Sequence, residues 1–155
     1  MTSVFIDIDG VLNPFLAWNL PERGFSKVNH TWGSWQLNSK LYSPWFKELA
    51  KYSELVWCSS WEEESNIIAR YFELPDMPFV KLSGSTTSSA HGTWKLPYVE
   101  DYLAKKDEKI VWLDDEFQTD AFHWAKQRTQ TLLIECDPST GFTQLQYEQV
   151  LNFIS

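Results

Sequence analysis

Four sets of polar residues stand beside short apolar runs. Asp7 and Asp9 lie in Asp7-Ile8-Asp9-Gly10-Val11-Leu12, Ser59 and Ser60 follow Leu55 to Cys58, Lys95 precedes a helical stretch, and Asp114 and Asp115 follow Ile110 to Leu113. Side chains at i and i+2 of a strand point the same way, so Asp7 and Asp9 share a face, and Gly10 lets the chain turn sharply after them. If the apolar runs are neighbouring strands of a parallel sheet, these distant residues meet at one edge, where ligands of such sheets bind. Carboxylates brought within a few ångströms raise one another's pKa, and a hard divalent cation, most simply Mg²⁺ with retained waters, resolves the conflict.

The elements needed to position them are visible. Five apolar runs recur, Val4 to Ile8, Leu55 to Cys58, the weaker Phe79 to Leu82, Ile110 to Leu113 and Leu132 to Cys136. Such runs, without alternating polar positions, read as strands buried on both faces of a parallel sheet. Helices are expected between them: Pro44 to Tyr52 with Ser43 as N-cap, Glu62 to Phe72, Tyr98 to Lys105, Phe117 to Arg128, and a last one from a Thr143 cap to Phe153. The alternation predicts an α/β, doubly wound layer structure. Asn13 to Lys40 breaks the rhythm and reads as an irregular stretch holding a β-hairpin, and Ser83 to Thr93, rich in Ser, Thr and Gly, reads as a loop.

Composition narrows the class. The chain has 155 residues, of which 43% are hydrophobic and 22% charged, which fits a globular protein with one domain over residues 1–155 and excludes a disordered or fibrous chain. Its formal charge of -8 argues against sequence-independent binding along a nucleic-acid backbone. Cys58 and Cys136 both fall in apolar runs and are expected as reduced thiols. There is no signal peptide and no run of roughly 20 apolar residues, so a cytoplasmic protein without a membrane partner is expected. His30, His91 and His123 lack metal-ligand spacing.

Together these residues resemble the four motifs of the haloacid dehalogenase (HAD) superfamily, in the right order along the whole chain. Asp9-Gly10-Val11-Leu12-Asn13-Pro14, Leu55-Val56-Trp57-Cys58-Ser59-Ser60-Trp61-Glu62, Trp112-Leu113-Asp114-Asp115-Glu116 and Asp137-Pro138-x-x-Gly141 are similar, more narrowly, to the small HAD domain of bacterial and phage RNA-repair proteins. The resemblance implies a HAD-like Rossmannoid three-layer fold with a five-stranded parallel sheet, a hairpin flap within about 13–40 and no large cap domain. It implies a phosphatase in which Asp7 is the nucleophile and Asp9 the general acid and base, with Ser59 and Lys95 on the phosphoryl oxygens. Mg²⁺ would be held by Asp7, the Asp9 carbonyl oxygen and Asp114, with Asp115 touching the ion or one contact behind it. Gly10 and Ser60 would face the substrate.

Each element taken singly has a plain structural reading. Asp-x-Asp-Gly is often a turn, Asp114 to Glu116 or Ser59 and Ser60 could cap helices, and Lys95 could lie on the surface. Their combination and order favour a phosphate-handling metal site. The flap's Trp18, Trp32 and Trp35 with Arg23, Lys27, His30 and Lys40 could stack a base and steer a phosphate, Trp32 and Trp35 above all, or could simply hold the hairpin to the domain. The expected substrate is a phosphorylated small molecule, a nucleotide or a nucleic-acid 5′ or 3′ end. The alternative is a non-catalytic module working with a nucleic-acid repair partner protein.

Overall fold

A computed structural model describes residues 2–82, 92–128 and 130–155. The Ser- and Thr-rich stretch expected as a loop lies outside the described residues except for Gly92 and Thr93, as does His91. Strands β1 (Thr2–Ile6), β4 (Glu54–Trp57), β5 (Lys109–Asp114) and β6 (Thr131–Glu135) form a parallel sheet in the order β4-β1-β5-β6. A separate antiparallel hairpin joins β2 (Ser26–His30) to β3 (Gly33–Leu37). The helices are α1 (Ser39–Leu49), α2 (Asn66–Tyr71), α3 (Leu96–Leu103), α4 (Thr119–Arg128) and α5 (Gln144–Ile154).

Three layers follow from the two-residue period of the buried strands. Val4, Ile6, Leu55, Trp57, Val111 and Leu113 face a core shared with α1, α2 and α5, where Tyr42, Phe46, Phe72 and Phe142 pack ring against ring. Phe5, Val56, Ile110 and Trp112 point the other way, onto Val99 and Leu103 of α3 and Ala121 of α4. No helix among the described residues is long and apolar enough to cross a membrane. Cys58 and Cys136 are free and buried, and burial pushes both thiols up.

Two elements depart from expectation. Among the described residues the sheet has four strands rather than five, because Phe79 there makes only an isolated parallel bridge to Trp57. Trp57 N–H donates to the Pro78 carbonyl at 2.9 Å and Val80 N–H to the Trp57 carbonyl at 2.8 Å. With Pro75 and Pro78 contributing no N–H, the run pairs too briefly to count as a strand. Helix α1 begins a turn earlier than Ser43, since the Asn38 side chain accepts the Leu41 N–H, which leaves Pro44 inside the helix rather than at its first position. Pro44 is exposed and forgoes only the bond to the Lys40 carbonyl. The Thr143 cap is as expected, as a reciprocal capping box with Gln146.

The rudimentary edge is held by one buried amide. Asn66 Oδ1 accepts from Trp57 Nε1 at 2.9 Å and from Met77 N–H at 2.8 Å, while its Nδ2 donates to the Met77 carbonyl at 3.1 Å. Asn66→Ala strands two buried donors and one acceptor. It is expected to lower the unfolding free energy by about 2–4 kcal/mol in urea titrations, against a few tenths for an exposed Asn such as Asn29.

Candidate active site

Asp7 follows β1 directly and continues its ladder, donating its N–H to the Leu113 carbonyl at 3.0 Å. Because Ile6 is opposite Leu113 in the parallel register, Asp7 and Asp114 come next on adjacent strands. The chain then winds tightly: the N–H groups of Val11, Leu12 and Asn13 all lie within 3.1 Å of the Ile8 carbonyl. Gly10 makes the turn with φ +86°, and a Cβ there would lie 2.5 Å from Asp115 Cβ and Oδ2. Only glycine lets the Asp9 loop and Asp115 come this close. The Asp137 to Gly141 motif closes the turn from outside, since Phe142 N–H donates to the Val11 carbonyl at 2.7 Å.

Lys95 reaches the same edge from the turn before α3. Its Nζ lies 3.2 Å from Asp7 Oδ1, 2.8 Å from Asp114 Oδ2 and 3.0 Å from the Cys58 carbonyl, and it is buried. Thr93 braces that turn, its N–H and hydroxyl donating to Asp120 at the start of α4. Asp7, Asp114 and Asp115 each offer an oxygen within 4.8 Å of the others. Three carboxylates against one ammonium leave two negative charges in a largely buried cluster, the deficit that a divalent cation with oxygen ligands fills.

The electrostatics follow from burial. Desolvation holds the Asp7 carboxyl well above its ordinary range, with Lys95 opposing and Asp114 adding to the rise. Burial alone would lower the Lys95 ammonium, but Asp7 and Asp114 outweigh it and raise it, so the lysine stays charged. Burial and the Asp114 carboxylate push Asp115 up to about 7. Asp9 stands apart, with one oxygen accepting from Asn13 and the other from the Trp61 indole, both at 2.9 Å.

A cleft of about 540 Å³ opens above these groups, lined among others by Asp7, Asp9, Ser60, Lys95, Asp114 and Asp115. Ser59 is buried behind that wall, its Oγ accepting the Trp61 N–H at 3.2 Å. The flap tryptophans divide. Trp32 is 82% exposed at the hairpin turn, whereas Trp35 is 1% exposed and packs against His30 and Trp61. Trp35 therefore anchors the hairpin and offers no face to a base, a correction to the expectation from composition. Neither residue lines the cleft; Phe15 and Trp94 do, and both expose a flat ring. Phe15, Trp94, Thr93 and Asp120 have no role in the sequence analysis, although Trp94 stands beside Lys95, while Asn13 and Trp61 stand within the quoted motifs with no role of their own.

A family model described as the HAD domain in Swiss Army Knife RNA repair proteins matches residues 3–147. No curated protein matches the chain.

Two outcomes are expected. Gly10→Ala is expected to cost about 1–2 kcal/mol or more in thermal melts, because the new methyl displaces Asp115 and strains a left-handed backbone. Asp115 binds its proton more tightly in the folded protein, about 7 against 3.8. Its contribution therefore favours folding at low pH and is lost as pH rises through about 7. Without metal, wild type should lose stability relative to Asp115→Asn between pH 5 and pH 8, by about 1–2 kcal/mol after discounting for solvent screening of this half-exposed group, as read by melts of both proteins in parallel.

Proposed function

The chain belongs to the family of HAD domains in Swiss Army Knife RNA repair proteins, and from that premise we propose that it is a Mg²⁺-dependent phosphomonoester hydrolase working through a phosphorylated Asp7. The observation that carries this reading is the cluster of Asp7, Asp114 and Asp115 at the cleft, with Lys95 paired to Asp7 and Asp114.

Asp7 attacks phosphorus in line; the bond from phosphorus to the leaving oxygen breaks, and Asp9 gives that oxygen its proton. Water then attacks phosphorus, Asp9 takes a proton from it, and the bond from phosphorus to the Asp7 oxygen breaks, releasing inorganic phosphate and restoring both aspartates. Lys95 holds phosphoryl oxygens as their charge spreads, and Ser60, on the cleft wall, faces the substrate; Ser59, buried behind that wall, and Gly10, packed against Asp115, support the site from behind. Mg²⁺ would be held by Asp7, Asp114 and the Asp9 carbonyl, with Asp115 beside them, and would neutralise phosphoryl charge.

The substrate we favour is a nucleotide or the phosphorylated end of a nucleic acid. The family's description in RNA repair supports it, as do the rings of Phe15 and Trp94 at the cleft and the exposed Trp32 on the hairpin. The same description, of a domain within repair proteins, favours as second reading an accessory module that acts with a repair partner.

Phosphate release is to be measured with and without Mg²⁺ from an aryl phosphate, mononucleotides and oligonucleotides phosphorylated at either end. Release that EDTA removes and that falls by about 10³-fold or more in Asp7→Asn is the expected result. Turnover in Asp7→Asn comparable to wild type would remove Asp7 as nucleophile. Silence across the panel, from folded protein whose Tm still rises with Mg²⁺, would favour the accessory module.

A further inference from the structure

Both oxygens of Asp9 are held by side chains that are themselves tied to the hairpin. Asn13 Nδ2 donates to Asp9 Oδ1 at 2.9 Å, and Asn13 Oδ1 in turn accepts the N–H of Gln36 in β3 at 3.0 Å. On the other side Trp61 Nε1 donates to Asp9 Oδ2 at 2.9 Å, although the two residues are 52 positions apart. The Trp61 ring lies edge-on to Trp35 at 5.3 Å and against His30 at 4.3 Å, and both of these belong to the hairpin. The turn is latched beyond that contact, where Thr31 donates its N–H, at 2.7 Å, and its hydroxyl to Glu64.

This is more support than a carboxylate at a turn needs. A lone Asp after a strand is commonly satisfied by one or two backbone N–H groups of its own loop. Asp7 and Asp114 each do this, accepting from the N–H of the next residue at 2.8 Å. Asp9 instead takes two neutral side-chain donors, one on each oxygen and both tied to the hairpin at neighbouring residues of β3, Gln36 and Trp35, an arrangement that fixes its rotamer.

We infer that Trp61 and Asn13 are positioning residues for Asp9, and that the hairpin is the template through which both of them set the direction of its carboxyl group. The inference rests on the reading of Asp9 as the group that protonates the leaving oxygen. Delivery of a proton demands hydrogen-bond reach of that oxygen, and a misplacement of about 1 Å can cost of order 10²-fold. A purely structural role for the same contacts would slow all substrates alike. A role in aiming Asp9 slows only substrates whose leaving oxygen needs the proton, since a nitrophenolate leaves readily as an anion and an alkoxide does not.

The test compares kcat/KM for 4-nitrophenyl phosphate and for an alkyl phosphate such as glycerol phosphate, at saturating Mg²⁺. Wild type is measured beside Asp9→Asn, Trp61→Phe, Asn13→Ala and the double variant Trp61→Phe with Asp9→Asn. Trp61→Phe keeps an aromatic ring beside His30 and Trp35 and removes the N–H together with the rest of the five-membered ring. It should lower kcat/KM for the alkyl ester about 10- to 100-fold while leaving the aryl ester within about threefold. Asn13→Ala should repeat the pattern, and adding Trp61→Phe to Asp9→Asn should cost nothing further. Equal losses on both esters, an undiminished loss in the Asp9→Asn background, or wild-type rates for both Trp61→Phe and Asn13→Ala would overturn the inference while leaving the phosphatase reading standing. If Asp9→Asn itself treats the two esters alike, the role of Asp9 falls and the inference with it.

Discussion

Three carboxylates crowd the carboxyl edge of the sheet with one ammonium paired to two of them, and each part of the fold near that edge bears on keeping them there. Lys95 touches Asp7 beyond β1, Asp114 at the end of β5 and the carbonyl of Cys58 beyond β4, so a single buried cation bridges three strand ends. The charges remain unbalanced by two. In the absence of a cation that excess is a standing cost, visible in the raised carboxyls of Asp7 and Asp115. Natural proteins accept such local cost where function needs it and recover it from the body of the fold. Here the recovery comes from two cores, one on each face of the sheet.

Backbone geometry sets how closely the charges can approach. A left-handed turn at Gly10 lets the Asp9 loop lie against Asp115 with no side chain between them, and a second one at Gly141, φ +71°, packs against the Val11 carbonyl and the Tyr42 hydroxyl. The first glycine brings carboxylates together and the second keeps the turn from opening. Tyr42 joins this clamp to the larger core, donating to the Phe142 carbonyl at 3.1 Å while its ring packs on Phe46 and Phe72.

Much of this is legible in the sequence, for reasons that also explain what is not. Buried parallel strands need continuous Val, Ile and Leu, so β1, β4, β5 and β6 stand out, and the residues just past β1, β4 and β5 follow once the sheet is assumed parallel. The run at Phe79 has strand composition but pairs, among the described residues, only through a bridge to Trp57, and composition carries no record of pairing. The Ser43-Pro44 signal for a helix start is real chemistry outcompeted by Asn38, whose cap also ties α1 to the Arg23 carbonyl at 3.1 Å. The alternation in Gly33–Leu37 does contain the fate of Trp35: it shares a face with Leu37, and both are buried. Trp32 lies at the turn, outside that register. Trp61 and Asn13 are hidden because their importance lies in which atom they meet, a property of tertiary contact alone.

The load of nine Trp takes on meaning in that light. Trp57 and Trp112 fill core, as an apolar ring of that size should. Trp35 and Trp61 do something else: with His30 between them they form a short chain of rings from the hairpin to the Asp9 carboxylate. An indole suits this use because it has only two side-chain torsions, so a packed ring transmits position with little loss to rotamer freedom, and it ends in a single directed N–H. A lysine or glutamine in place of Trp61 could reach the same carboxylate, yet would carry more torsions and bring no flat face for His30 to press on. A two-stranded hairpin alone is marginally stable, and this one meets the site through Trp61 and Asn13. Seating it on aromatic rings rather than on long polar chains makes it stiff enough to aim a carboxyl group.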